Sequence, residues 1–237
     1  MQNSQKTEYS GLQELLNSEV MPNCNSSIVE TAINYVGEVE NCVDFGAGIG
    51  TLSIIFRDKF NINPLCIEID NQNINYLKKR NLNFLKDLKL SLVNNDLIFS
   101  SNVLEHIEDD VSVLKQMKDN LRIGGHLYLY LPAKMVLWSS LDEIVGHYRR
   151  YELEEIRAKC EIVGLKVRKL HYADSIGFFA SWSMKIFGYS SENGIGSISS
   201  LKFYDKYLFP LSRLLDKCGL KYIFGKNLVL VAEKTSM

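Results

Sequence analysis

An α/β fold, a parallel sheet with helices on both faces, is what this sequence predicts, on three observations. Strand-like and helix-like segments alternate from about residue 41 to residue 173. A glycine-rich bend, "VDFGAGIG" at residues 43–50, follows the first strand. An apolar run, "NLVLVAEK", restores strand character near the end of the chain after a long interruption. Strands separated by helices in this rhythm bury both faces of a parallel sheet.

Taken in order, residues 11–37 read as two short helices. The second starts near "NSSIVETAINYV", with Asn25 or Ser26 as its cap and Glu30 in the first turns. Residues 41–45 form an apolar strand and "TLSIIFRDKF" a helix; residues 64–69 form a strand and "NQNINYLKKRN" a short helix. "LNFLKD" is a weak strand and "DLIFSSN" a strong one. "DDVSVLKQMKDNLRI" reads as a helix stopped by Gly124 and Gly125, followed by the strand "HLYLYLP". "ELEEIRAKCEIVG" is a further helix and "LKVRKLHYA" a further strand. The expected organisation is a single domain over 1–237: N-terminal helices in 1–38, a ligand-binding core in 39–173, a lid or insertion in 174–225 and the last strand in 226–237.

A chain of 237 residues buries an adequate core without staples. The 46% hydrophobic and 23% charged content is ordinary for a globular protein, and a net charge of −1 exerts no general pull on nucleic acid or anionic membrane. Basic residues are dispersed and form no basic-aromatic stripe, so no nucleic-acid partner is expected. The five cysteines are scattered without CxxC spacing, which argues for reduced thiols in a cytoplasm and against a zinc site or disulfide framework. The longest apolar-rich stretch, "IGFFASWSMKIFGY", is interrupted by Ser and Lys and falls short of the ~20 residues of a membrane span. Cytoplasmic localisation follows as an expectation, with surface contact at most.

In an open parallel sheet, ligands bind beyond the carboxyl ends of the strands. The bend Gly46-Ala47-Gly48-Ile49-Gly50-Thr51 lets a ligand approach bare backbone at its three glycines, and the helix that follows aims free N–H groups at the same place. The glycine spacing is wrong for a pyrophosphate clamp, which disfavours a nicotinamide-dependent oxidoreductase. Asp44 repels phosphate and suits an ammonium or sulfonium. The second strand ends in "CIEID", where Glu68 can accept both hydroxyls of a ribose, each bond worth about 1.5–3 kcal/mol. A nucleoside with a cationic amino-acid tail and no pyrophosphate fits this set: S-adenosylmethionine (SAM), leaving S-adenosylhomocysteine (SAH) as product.

These segments resemble the class I SAM-dependent methyltransferases. "VDFGAGIG" stands as the first motif, "CIEID" as the second, and "NFLKDL" where the adenine-contacting acid lies; "DLIFSSNVLEHIEDD" and "LRIGGHLYLYLPA" match the fourth and fifth strands. The resemblance implies a Rossmann-like, mostly parallel sheet with the last strand antiparallel. It further implies that Asp44, Gly46, Ala47 and Gly48 hold the methionine end, Glu68 and Ile69 the ribose side, Asp87 and Leu88 the adenine, and that Asn102 lies beside the methionine end. No metal is expected. An Asp/Asn-Pro-Pro-aromatic signature for base amino groups is missing after the fourth strand, where "SSNVLEHI" stands instead.

Methyl transfer is an in-line displacement in which alignment contributes about 7–11 kcal/mol and a hydroxyl acceptor must also lose a proton. Of four histidines, His126 and His171 fall in or beside strands and read as structural. His106, in "LEHI", and His147 are the catalytic candidates, with a structural role as the alternative for His106. "GHYRRY", similar to a motif of methyltransferases near sugar- and envelope-related enzymes, offers His147, Tyr148, Arg149, Arg150 and Tyr151 as substrate-binding residues. Its arginines read either as an anion clamp or as solvated charges paired with Glu152, Glu154 or Glu155. The expected reaction is O-methylation of a small anionic acceptor, phosphorylated, nucleotide-linked or glycosylated. N- or C-methylation of a small or lipid-like metabolite and a non-catalytic SAM-binding module are the alternatives. The aromatic-rich segment before the last strand is a lid, an apolar acceptor pocket, a peripheral membrane contact or an oligomer contact.

Overall fold

The computed structural model describes residues 11–88, 94–187 and 197–235. One seven-stranded sheet organises them in the order β3-β2-β1-β4-β5-β7-β6. The strands are β1 (Cys42–Phe45), β2 (Leu65–Ile67), β3 (Phe84–Leu85), β4 (Asn95–Ser101), β5 (Leu121–Pro132), β6 (Lys166–Ala173) and β7 (Asn227–Glu233). All pairings among β1 to β5 are parallel, and β7 runs antiparallel between β5 and β6. The composition of the last strand explains that central position. Every residue from Asn227 to Ala232 is buried, so the strand needs cover on both faces and both edges, whereas β6 exposes the charged side chains Lys166, Arg168 and Lys169 as an edge strand does.

Helices α1 (Leu12–Ser18) and α2 (Pro22–Val36) precede the sheet. Helices α3 (Thr51–Phe60), α4 (Asn71–Lys79), α5 (Asp110–Asn120) and α7 (Leu153–Ile162) link strands, and α6 (Ser140–Ile144) lies beyond β5. On one face Val43, Ile98, Leu127 and Leu230 pack against Leu114, Met117 and Ile156. On the other, Phe56, Phe99 and Tyr128 pack against α2, with Phe99 and Tyr128 stacked at 5.3 Å between ring centres. Each such side chain contributes on the order of 1.5–3 kcal/mol by leaving water.

Three local expectations are corrected. Helix α2 begins at Pro22, with Pro at the first position, and not near Asn25. Its free N–H groups are taken by a distant residue: Asp205 accepts from the backbone of Asn23 at 3.1 Å and of Cys24 at 2.8 Å. Helix α5 ends at Asn120, so Leu121 to Ile123 belong to β5, and Gly124 and Gly125 lie inside that strand instead of ending a helix. Leu121 pairs with Asn95 across an irregularity in the ladder, and a Cβ on Gly125 would stand 2.6 Å from the Asn95 carbonyl oxygen. Glu68 lies just past β2, which is shorter than the expected 64–69.

The segment between β6 and β7 carries α8 (Ser175–Phe187), α9 (Ile198–Phe203), a wide helical turn at Tyr204–Leu208 and α10 (Phe209–Lys217). Asp174, buried and in the left-handed region at φ 62°, gathers these elements. Its Oδ1 accepts from Gly177 N at 3.1 Å, from the Ser212 hydroxyl at 2.9 Å and from the Tyr204 hydroxyl. Phe179, Trp182 and Ile186 on α8 and Leu211 and Leu214 on α10 stay exposed. Among the described residues no helix is long and apolar enough to cross a membrane.

Candidate active site

The chain crosses from the β2–β3 side of β1 to β4 on the other side, and beyond the carboxyl ends of these strands lies a cavity of about 1310 Å³. Its walls include Asp44, Gly46, Ala47 and Gly48 from the first bend, Glu68 and Ile69 after β2, Asp87 and Leu88 after β3, and Asn102 after β4. Each of the expected cofactor positions thus faces one space. Leu15 and Glu14 of α1 and Cys24 and Ile28 of α2 close it on the N-terminal side. The described part of the 174–225 segment adds only Asp174 to the wall.

The bend holds Gly46, Gly48 and Gly50 at φ of 76°, 55° and 84°, which glycine adopts without strain. What lies against each differs. A Cβ on Gly46 would meet Val103 Cγ2 at 2.3 Å and one on Gly48 would meet Leu15 Cδ1 at 3.2 Å, both side chains of the cavity wall. Gly50 is turned away, toward Leu82 and Leu77 at 2.5 and 2.8 Å, so it serves packing and not the ligand approach expected of it.

Asp44 is buried and accepts from the Ser53 hydroxyl at 2.5 Å. Burial pushes its carboxyl up to about 7; the Ser53 bond opposes the shift and nearby Glu68 adds to it. Glu68 is also buried, and both its oxygens are occupied. Oε1 accepts from Ile69 N at 2.7 Å and Asp70 N at 2.8 Å; Oε2 accepts from Gly48 N at 2.8 Å and Asn73 Nδ2 at 3.4 Å. This carboxylate therefore shapes the glycine bend from the neighbouring strand. Burial raises its pKa against the pull of the backbone donors from Asp70, Ile69 and Gly48. Ile69 is 77% exposed, leaving an apolar face free at the rim. Asn102 takes φ 53°, receives a 3.4 Å bond from Asn227 Nδ2 and is exposed to the cavity.

On the wall of the same cavity, the turn Leu104–His106 brings His106 against His147, ring centres 4.6 Å apart at 76°. Burial and the neighbouring His147 hold His106 down at about 4. His147 Nδ1 lies 2.8 Å from Asp142 Oδ1. Asp142 also accepts from Ser139 N at 2.9 Å and from Arg150 through Nε at 2.9 Å and Nη2 at 3.0 Å. Burial alone would raise the Asp142 carboxyl, but the His147 and Arg150 bonds outweigh it and hold the group at about 2.

The five residues His147 to Tyr151 thus divide. His147, Tyr148 and Arg150 line the cavity; Arg149 and Tyr151 point to Asp110, at 2.8 Å each. Both arginines are paired, to Asp142 and Asp110 and not to Glu152, Glu154 or Glu155. Neither guanidinium presents a free fork for an anion.

Three residues of the site were not singled out from the sequence. Val103 fills the space above Gly46. Asp142 orients His147, and its signal was the capping pair Ser139…Asp142 at the start of α6. Glu105, fully buried, has neither carboxylate oxygen hydrogen-bonded, and burial pushes it up to about 8. Its letter in "LEHI" gave no sign of this.

A family model described as a methyltransferase domain matches residues 17–170. No curated protein sequence matches the chain significantly. Among solved structures, the chain is similar to one from the complex between the Haloferax volcanii Trm112 methyltransferase activator and the putative methyltransferase. The two are 15% identical over 97% of this chain and 98% of that one, with a TM-score of 0.64. A SAM-dependent methyltransferase from Archaeoglobus fulgidus is 14% identical over 93% and 99%, TM-score 0.62. Phosphoethanolamine N-methyltransferase 2 of Haemonchus contortus, in complex with SAM, is 15% identical over 98% of this chain and 59% of that one, TM-score 0.62. At these identities the likeness is one of fold.

Proposed function

This chain belongs to the methyltransferase-domain family and is a SAM-dependent methyltransferase, and we propose that it transfers the methyl group to an oxygen of a small hydroxylated acceptor. In this reading Asp44, Gly46, Ala47 and Gly48 surround the methionine end of the donor, with Asn102 beside it. Glu68 and Ile69 take the ribose side, and Asp87 and Leu88 flank the adenine. Glu68 meets the ribose by exchanging its weakest partner, Asn73 at 3.4 Å, for a hydroxyl.

One observation carries the reading: a single cavity contains both the glycine bend and the His106–His147 pair. Donor sulfur and acceptor oxygen held in line in that space gain the benefit of proximity, about 7–11 kcal/mol. As the S–CH3 bond breaks and the O–CH3 bond forms, the sulfonium charge disappears, and the hydroxyl proton passes to Nε2 of His147. The His147 ring is fixed through Nδ1 by Asp142, Asp142 in turn by Arg150, and His106 packs against it at the acceptor oxygen. Tyr148, 55% exposed at the rim, offers a ring for the acceptor to stack on. Because Arg149 and Arg150 are engaged, recognition of a phosphate by them has lost its support, and the acceptor needs only to be polar and hydroxylated.

A second reading, an amine acceptor, is favoured by the charge of the wall. Carboxylates dominate it, and Lys86, Arg150 and Lys226 are the basic side chains among the described lining residues. The exposed aromatic and aliphatic side chains of α8 and α10 support the proposal that this face meets a membrane surface or a second copy.

Methyl-labelled SAM incubated with the protein and fractionated small metabolites, with the product's methyl carbon assigned by NMR, tests the reading. An O-methyl product is expected. An N-methyl product sinks the oxygen assignment, and donor binding without turnover on any fraction leaves a binding module. In the same preparation Glu68→Gln weakens SAH about 10–100-fold by calorimetry, as the loss of charged acceptor bonds requires.

A further inference from the structure

Glu105, His106 and His147 each offer one ligand atom, and the three atoms lie within 4.8 Å of one another. We propose that they bind one divalent first-row transition-metal ion at the acceptor end of the cavity.

The first support is Glu105. It is completely buried, lines the cavity, and neither of its oxygens has a hydrogen-bond partner. Ionising a carboxyl buried without a partner costs several kcal/mol, and a cation bound against it removes that cost. The bidentate Arg150–Asp142 pair close by shows what a satisfied carboxylate looks like here; Glu105 is left out of it.

The second support is independent and concerns His147. Its Nδ1 is bonded to Asp142 at 2.8 Å, which turns Nε2 toward Glu105 Oε1, 3.8 Å away. A carboxylate on the far nitrogen is the usual support of a metal-bound imidazole: it fixes the tautomer and raises the basicity of the ligating nitrogen. His106 is tethered too, to the backbone of Gly146 and Val145.

Distances agree. Two donors at about 2.1 Å from one cation stand at most ~4.2 Å apart. The Glu105–His147 separation of 3.8 Å already falls inside that limit, and no pair of the set, within 4.8 Å, exceeds it by more than about 0.6 Å. Two imidazoles and one carboxylate select zinc, cobalt, manganese or iron over magnesium and calcium. Three protein ligands leave positions open toward the cavity, where an acceptor oxygen can coordinate. The acidic wall then no longer opposes an electron-rich acceptor. In that role the ion acidifies the bound hydroxyl, whose proton leaves to solvent, in place of a histidine base. That role rests on the methyl-transfer reading; the binding site itself does not.

The test uses the untagged full-length protein stripped with a chelator, titrated with Zn²⁺ by calorimetry and with Co²⁺ by visible absorption, without SAM. One ion per chain is expected, with cobalt d–d bands typical of nitrogen and oxygen ligands. Asp142→Asn weakens binding about 10–100-fold, as loss of an outer-shell partner does. His147→Ala and the isosteric Glu105→Gln weaken it further, and His126→Ala leaves it unchanged. SAH affinity measured on every sample reports whether the fold and donor site survive. Wild-type protein that binds SAH but takes up no stoichiometric ion overturns the proposal, as does equal metal affinity in folded Glu105→Gln and His147→Ala. Failure of SAH binding with metal uptake intact removes the methyl-transfer reading and leaves the metal site standing.

Discussion

At Asp44, the fold and the cofactor make opposite demands on one carboxyl. The unfolded chain ionises this group near pH 4, whereas burial holds it up at about 7 in the free protein. The folded state therefore binds the proton more tightly, and the group's contribution to stability falls as pH rises from about 4 to about 7, then stays level. Asp44→Asn should stabilise the free protein at pH 8, by an amount on the order of 4 kcal/mol at most, and change little near pH 4; denaturant titrations at the two values read it. A cationic donor favours the ionised form, so SAH and SAM affinity should climb between pH 5 and 7 and level off above, with proton release seen in buffers of different ionisation enthalpy. An affinity flat across that range excludes Asp44 as the partner of the donor's positive charge. Asp44 and Glu68 were legible because strand-end carboxylates beside a glycine bend are local in sequence. The four donors on Glu68 and the buried isolation of Glu105 depend on which side chains the fold brings up afterwards.

Elements read from periodicity survived best where one face is buried and strand length is ordinary. The rhythm from β1 to β6 was legible, and so was the strand character of β7. Two glycine roles were not: the helix stop expected at Gly124-Gly125 and the ligand approach expected at Gly50. In β5 the pair Gly124-Gly125 accommodates an irregular ladder beside Asn95, because only a missing side chain lets the two backbones close. At Gly50 the same property serves core packing against Leu77 and Leu82. Gly50→Ala should thus act on stability: a Cβ in the left-handed region and in contact with two leucines costs about 2–4 kcal/mol. Thermal unfolding should show the loss, with SAH affinity nearly unchanged at temperatures where the variant is folded. A large affinity loss at full stability would assign Gly50 to the ligand after all. The partners of the GHYRRY arginines were not legible for a related reason. Asp142, the partner of Arg150, sits on the five-residue α6, too short to announce itself by hydrophobic period, and Asp110, the partner of Arg149, lies on α5, far away in sequence.

Across the whole molecule, the cavity's cover comes from the N-terminal helices, while the segment before β7 braces them from behind. The brace is Asp205, which caps α2 from the far end of the chain through Asn23 and Cys24. No local signal in residues 20–30 predicts a cap supplied from position 205, which is why the start of α2 was placed too late. Asp205→Ala leaves two helix N-terminal donors without their partner and should cost about 1–3 kcal/mol. Hydrogen exchange should then speed up across the first turn of α2 before the sheet is affected; uniform acceleration throughout would mean the bond stabilises only the global fold. Joined in this way, a wall of the cavity and the segment outside it share one seam, so whatever loosens Asp205 is felt through α2 by the residues that face the glycine bend.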